Sequence, residues 1–335
     1  MTEREITTPV ALQSPDGTLN PDAVGWTRRQ LHDTTLSGWG RTKRWEYWCL
    51  MTPGHVVALT VSSLDYAAVH QVWVLDRATG AVIARDAVVP LAARTTLPPS
   101  LGDLATAPVA ADAKDLSIRI EVVGDEVRLR ARTERVVLEA FVAQDQRNEA
   151  LGVVVPWSER RFQYTVKDVA RRARGRVRID GTDHPLPDGA TWAVLDHGRG
   201  RWPYEMTWNW GAGSGVVGGR VIGVQVGGRW TDGTGSTENA LLVDGRLHKN
   251  SDELVWEYDR EDWSAPWRVH DAARERVDLT FTPFHVRTAI TNLLVISGHT
   301  YQGFGTWTGF MTDDAGARVR VDGVEGWAEE ARNRW

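Results

Sequence analysis

The chain has 335 residues, 39 Lys and Arg against 44 Asp and Glu, a net charge of -5 and 42% apolar residues, a length that suits two domains of about 150–170 residues, each with its own core. The acidic balance argues against a phosphate-backbone partner. The single cysteine, Cys49, excludes an intramolecular disulfide and a zinc site resting on thiolates, and apolar runs such as residues 151–156 are far too short to span a bilayer.

The opening MTEREITTPV has no apolar stretch of a signal peptide, so a cytoplasmic location is expected. Residues 1–25 read as an extended arm. From there strand signals dominate. Residues 72–89 alternate apolar and polar positions around the turn Asp76-Arg77-Ala78-Thr79-Gly80. Residues 91–113, rich in Ala, Pro and Thr, read as a loop or short helix. Residues 115–132, DLSIRIEVVGDEVRLRAR, show period two, a Gly124-Asp125 turn, then period two again, which is a half-buried hairpin. The basic run 171–178, RRARGRVR, reads as a solvated strand face, and no nucleic-acid partner is expected. Residues 178–190, dense in Gly, Pro and Asp, mark a boundary between a first unit at 26–180 and a second at 185–335. Gly213 to Gly218 fits G-x-G-x-x-G, but the β-branched run RVIGVQV follows it where a dinucleotide site needs a helix. ALLVDGRLHK, at 240–249, is two strands around Asp-Gly, and residues 318–324 repeat the device around Asp322-Gly323. Residues 277–282 alternate again. Many short strands joined by turns indicate antiparallel sandwiches or barrels rather than α/β units.

The densest chemical segment is WAVLDHGRGRWPYEMTWNWG, residues 192–211. It holds Asp196 and His197, then Trp202, and a period-two series Tyr204, Met206, Trp208, Trp210 that predicts one buried aromatic strand face. Tryptophan is abundant, with 17 residues, and supplies large contact area with few rotatable bonds. An aromatic wall beside an acid and an imidazole suits an apolar molecule handled with proton transfer. Burial there raises a carboxyl's pKa, whereas Arg199 and Arg201, if close, hold it ionised. The loop DGTGSTEN, 232–239, adds Glu238 and Asn239 near that strand. The histidines lack metal-ligand spacing, so neither a metal nor a cofactor is expected.

Five stretches, GWGRTKRWEYW at 38–48, Leu64-Asp65-Tyr66, DHGRGRWPY at 196–204, DGTGSTEN, and GVEGWAEEARNRW at 323–335, make the whole chain resemble the bacterial family called domain of unknown function 2804. The Asp-His strand end, the Trp-x-Trp strand and the strand pair around Asp-Gly resemble, more distantly, the lipocalin-like group of carotenoid 1,2-hydratases, AttH-type proteins and certain pericyclic cyclases. In that group an acidic or amide residue typically follows Asp-His; here Gly198 and Arg199 follow. The resemblance implies an all-β chain of two lipocalin-like halves with a cavity in or between them.

The resulting expectation is a protein that binds a hydrophobic small molecule, such as a terpenoid, steroid or acyl chain, and catalyses cofactor-free hydration, dehydration, isomerisation or cyclisation. Asp196, His197 and Glu238 are the candidate catalytic residues, and Trp202, Tyr204, Trp208, Trp210 and Asn239 the candidate ligand contacts. A lipid or isoprenoid carrier needs the same walls without the polar cluster, and a glycan-binding or glycoside-cleaving protein would use tryptophan platforms beside paired carboxylates.

Overall fold

The computed structural model describes residues 3–145, 147–293 and 296–334; Trp335, the last residue of the C-terminal motif, lies outside them. Among the described residues there is no α-helix, only two short 3-10 turns, Pro21–Ala23 and Leu101–Ala105. Among the described residues no helix is long and apolar enough to cross a membrane. Two large antiparallel sheets carry most of the rest, one of 13 strands drawn from residues 26–201 and one of 10 strands from residues 205–334, and Val10–Ala11 and His32–Asp33 form a separate short parallel pair.

Strand alternation sorts the side chains into layers. On the strand Lys43–Met51, Trp48 and Leu50 enter the core enclosed by the first sheet, while Cys49 and Met51 enter a second core shared with the other sheet. Strands far apart in the hydrogen-bonded order, His55–Ser63 and Val109–Ala113, come into contact, so the first sheet curls over its own core. The second sheet encloses Val224, Trp267, Leu279 and Trp307 in the same way. The two half-barrels then pack against each other through the shared layer, where Trp73, Val169 and Val194 of one meet Trp210, Phe304 and Trp327 of the other.

The hairpin at 115–132 forms in the expected register, Leu116–Val123 against Glu126–Thr133. ALLVDGRLHK is the hairpin Asn239–Val243 and Arg246–Asn250, with Asp244 and Gly245 at φ 48° and 88° as a type I′ turn requires. Two expectations need correction. Residues 178–190 are not a boundary: Asp180 and Gly181 turn the long hairpin Arg161–Ile179 to Thr182–Arg201, and the chain changes sheets between Arg201 and Glu205. The strand Arg318–Arg320 does not pair across Asp322-Gly323; it and Val324–Arg334 pair one after the other with Ile296–Thr312, so the chain continues in one direction through these two residues. The N-terminal segment, described from residue 3, packs on the first half-barrel, with Leu12, Leu19 and Ala23 buried in one cluster with Phe162 and Tyr164.

The glycines at 213–218 lie in and just after the strand Glu205–Val217, which pairs directly with Arg220–Gly228. A Cβ on Gly213 would stand 2.8 Å from Trp307 and 2.8 Å from Val324, so this glycine lets a tryptophan lie flat on the strand. Gly213→Val should therefore overpack this core and cost about 1–3 kcal/mol in urea denaturation; an unchanged midpoint would contradict the packing.

Candidate active site between the sheets

The cavity of about 310 Å³ lies between the two sheets rather than inside either half-barrel, and both sheets line it. Strand register builds its two walls. On the first sheet Lys167, Asp196 and Tyr47 sit directly opposite one another on three neighbouring strands. On the second, Trp210, Glu329, Gln302 and Arg287 form the matching row across four strands. Side chains of a row stand on one face of a sheet, so the two rows meet across the cavity. Lys167 Nζ lies 4.0 Å from the ring centroid of Trp210, and Gln302 Nε2 reaches the Tyr47 hydroxyl at 3.4 Å.

One end of the cavity is aromatic. Trp202 stacks on Trp230 at 5.4 Å with planes 5° apart, and Trp45 and Trp208 meet Trp202 edge-on at 5.6 and 5.7 Å. Trp45 can occupy this place only because residue 198 is glycine: a Cβ there would stand 2.1 Å from the indole. The Gly198 that follows Asp-His is thus what admits this ring.

The polar floor is buried. Lys167 Nζ is 3.0 Å from Asp196 Oδ2 and 3.4 Å from Glu238 Oε2. The Thr165 hydroxyl donates to Asp196 Oδ1 at 2.9 Å. The Trp230 indole N–H donates to Glu238 at 2.5 Å, and the Trp208 indole N–H donates to Glu329 at 2.9 Å. Gln302 donates to the other oxygen of Glu329 at 3.0 Å. Burial alone would pull the Lys167 ammonium down, but Asp196 and Glu238 reverse the sign and raise it. Burial pushes Glu238 and Glu329 up to about 7 against the opposing pull of Lys167 and the indoles. Burial, with Arg41 nearby, pushes the Lys43 amine at the cavity wall down to about 5. Burial also holds the Tyr47 hydroxyl protonated far above its ordinary range.

The sequence-derived residues divide between cavity and elsewhere. Asp196, Glu238, Trp202, Trp208 and Trp210 line it. His197, the next residue on the strand, points to the opposite layer. There it bonds Glu46 at 2.5 Å, and Glu46 also accepts from Arg199 at 3.1 Å, all three fully buried. Tyr204 precedes the strand and is 50% exposed, so it does not share the face of Trp208 and Trp210. Asn239 faces away and ties the backbone, accepting from Gly227 N–H and donating to the carbonyl of Asp252. The arginines expected to compete for Asp196 do not pair with it. Arg199 holds Glu46, and Arg201 donates to the carbonyls of Gly17 and Ser37. Lys167, Glu329, Tyr47 and Gln302 were not singled out from the sequence. The available signal for Glu329 was its period-two spacing from Trp327 in a strand ending. Among the described residues no group of three or more His, Cys, Asp or Glu could hold a metal ion.

The model of the family described as Domain of unknown function (DUF2804) matches residues 3–335. No curated protein sequence matches the chain. Among solved structures, the chain is similar to a putative AttH from Nitrosomonas europaea, with a TM-score of 0.52 and 14% identity over 87% of this chain and 92% of that one. It is similar to kievitone hydratase from Nectria haematococca, at 0.53 and 9% over 88% and 89%. It is likewise similar to CghA in its structure with Sch210972, at 0.53 and 12% over 91% and 89%. At these identities the likeness establishes the shared fold.

The two raised carboxyls set a pH dependence opposite to that of a salt-bridged acid. Each holds its proton more tightly in the folded chain than in the unfolded one, so its ionisation opposes folding. The stability it contributes is complete below the ordinary value of 4.5 and is lost as pH rises to about 7, on the order of 3 kcal/mol for each group. Glu329→Gln and Glu238→Gln, which cannot ionise, should gain stability relative to the parent between pH 5 and about 7.5 in denaturant titrations. A constant difference across that range would contradict the assignment.

Proposed function

The chain belongs to the Domain of unknown function (DUF2804) family, and for it we propose that the inter-sheet cavity binds a hydrophobic small molecule and carries out acid–base chemistry on it. The observation that carries this reading is the coincidence, in one cavity, of a four-tryptophan wall with two buried carboxyls whose protons leave near neutral pH. Apolar walls alone suffice for a carrier. A cluster of three carboxyls and one ammonium costs desolvation that a carrier has no use for.

Glu329 is the proton donor in this reading. A carboxyl titrating near the working pH is both protonated often enough and acidic enough to transfer its proton. In a hydration, the Glu329 proton adds to one carbon of an alkene and water adds to the other. The proton that this water sheds returns to the Glu329 carboxylate, so the enzyme is restored. Dehydration is the reverse, and in an isomerisation or cyclisation the proton is given at one carbon and taken from another. Glu238 is the second acid. The Lys167–Asp196 pair and the Tyr47 hydroxyl orient polar groups of the substrate, and Trp45, Trp202, Trp208 and Trp230 hold its apolar body. The likeness in fold to a hydratase supports the reaction class without identifying a substrate.

A panel of terpenoids, sterols and acyl chains should quench intrinsic fluorescence on binding, and Trp208→Ala should weaken the affinity about tenfold or more. Glu329→Gln should leave affinity within about threefold of the parent and lower turnover by about a hundredfold or more. Turnover by the parent should fall as pH rises through about 7. Binding with no product from any member of the panel would leave the protein a carrier, and no binding would remove the cavity from consideration.

A further inference from the structure

The cavity is lined by two guanidiniums that are treated differently. Arg44 is neutralised by Asp65 at 2.7 Å. Arg287, half-buried, has no carboxylate within 4.0 Å among the described residues. It donates instead to two amide carbonyls, Gln302 Oε1 at 3.2 Å and Gln71 Oε1, and lies 5.0 Å over the ring of Trp73. Both amides are fixed in that orientation because their N–H groups are engaged, Gln302 with Glu329 and Gln71 with Asp86. The guanidinium is therefore held in one pose by direct partners that are neutral, and the nearest acid that acts on it, Glu329, makes no ion pair with it. A half-buried charge without an ion-pair partner is costly, and the cost is relieved when an anion arrives. Ala289 and Thr300, the small side chains beside it, leave space on the cavity side.

We propose that the ligand of this cavity is an amphipathic carboxylic acid, its carboxylate bound by Arg287 and its apolar body extending to the tryptophan wall. The inference rests on the cavity being the ligand site. Register sets the span: Arg287 and Trp210 lie three strand spacings apart along one row, about 14 Å, so the ligand has a head and a tail rather than a compact polar shape. The planar fork of a guanidinium matches a carboxylate in two parallel hydrogen bonds, which an alcohol cannot reproduce.

The test compares decanoic acid with decan-1-ol by isothermal titration calorimetry on the full chain at pH 6, where the probe is ionised and Glu329 largely keeps its proton. The parent should bind the acid at least about tenfold more tightly than the alcohol. Arg287→Gln should bring that ratio to near one while leaving the alcohol's affinity within about twofold, which also shows the variant to be folded. Arg287→Lys should keep a preference for the acid, reduced by the loss of the fork. Equal affinity of the parent for both probes, or an acid preference that survives Arg287→Gln, overturns this inference and leaves the cavity reading standing. Failure of both probes to bind the parent overturns the two together.

Discussion

The ammonium of Lys167 is the contact on which the site depends. It is buried between two sheets, with Asp196 from its own sheet at 3.0 Å and Glu238 and the Trp210 ring from the other. A buried charge is tolerable only when paired and hydrogen-bonded. This one is paired across the junction, so the position of one half-barrel against the other is tied to it. The same contact bears on the charge state of the neighbourhood. Burial is what keeps protons on Glu238 and Glu329 near neutral pH, and Lys167 pulls against it. Acid chemistry here is thus a consequence of burying carboxyls in an apolar pocket, moderated by the cation shared between the sheets.

The tryptophans serve both ends of that arrangement. As rings they exclude water and strengthen every electrostatic interaction inside. As N–H donors they address the carboxyls individually: Trp230 serves Glu238 and Trp208 serves Glu329. The donors partly oppose the effect of burial, which keeps both acids near 7 instead of far above it. Trp208→Ala would therefore remove a wall and a hydrogen bond at once, whereas Trp208→Phe would separate the two roles.

Much of this was legible in the sequence. Period-two runs at 115–132 and 240–249 gave strands in correct register because turn chemistry and alternation agree locally. The aromatic face of Trp208 and Trp210 follows from the same spacing. His197 is instructive, since neighbours in a strand face opposite layers; once Asp196 lines a cavity between sheets, His197 belongs to the core on the other side. The Gly-, Pro- and Asp-rich stretch at 178–190 was informative about a chain reversal and uninformative about a domain edge, because turn residues report local geometry only. Lys167 and Glu329 were illegible for a different reason. A lone lysine in a strand reads as solvent-facing, and what buries it is the second sheet, whose Trp210 and Glu238 close over that face. Each facing row also depends on one pairing between segments more than a hundred residues apart, Asp196 with Tyr47 and Trp210 with Glu329, which no local pattern encodes.

The central claim is that a carboxyl facing this cavity stays protonated at neutral pH, and infrared spectroscopy reads that state directly. The account predicts a protonated-carboxyl band that persists at pH 6, titrates away through about 7, loses intensity in Glu329→Gln and in Glu238→Gln, and is absent from the double variant. Complete ionisation of every carboxyl by pH 5, or a neutral-pH band unchanged in the double variant, would contradict it.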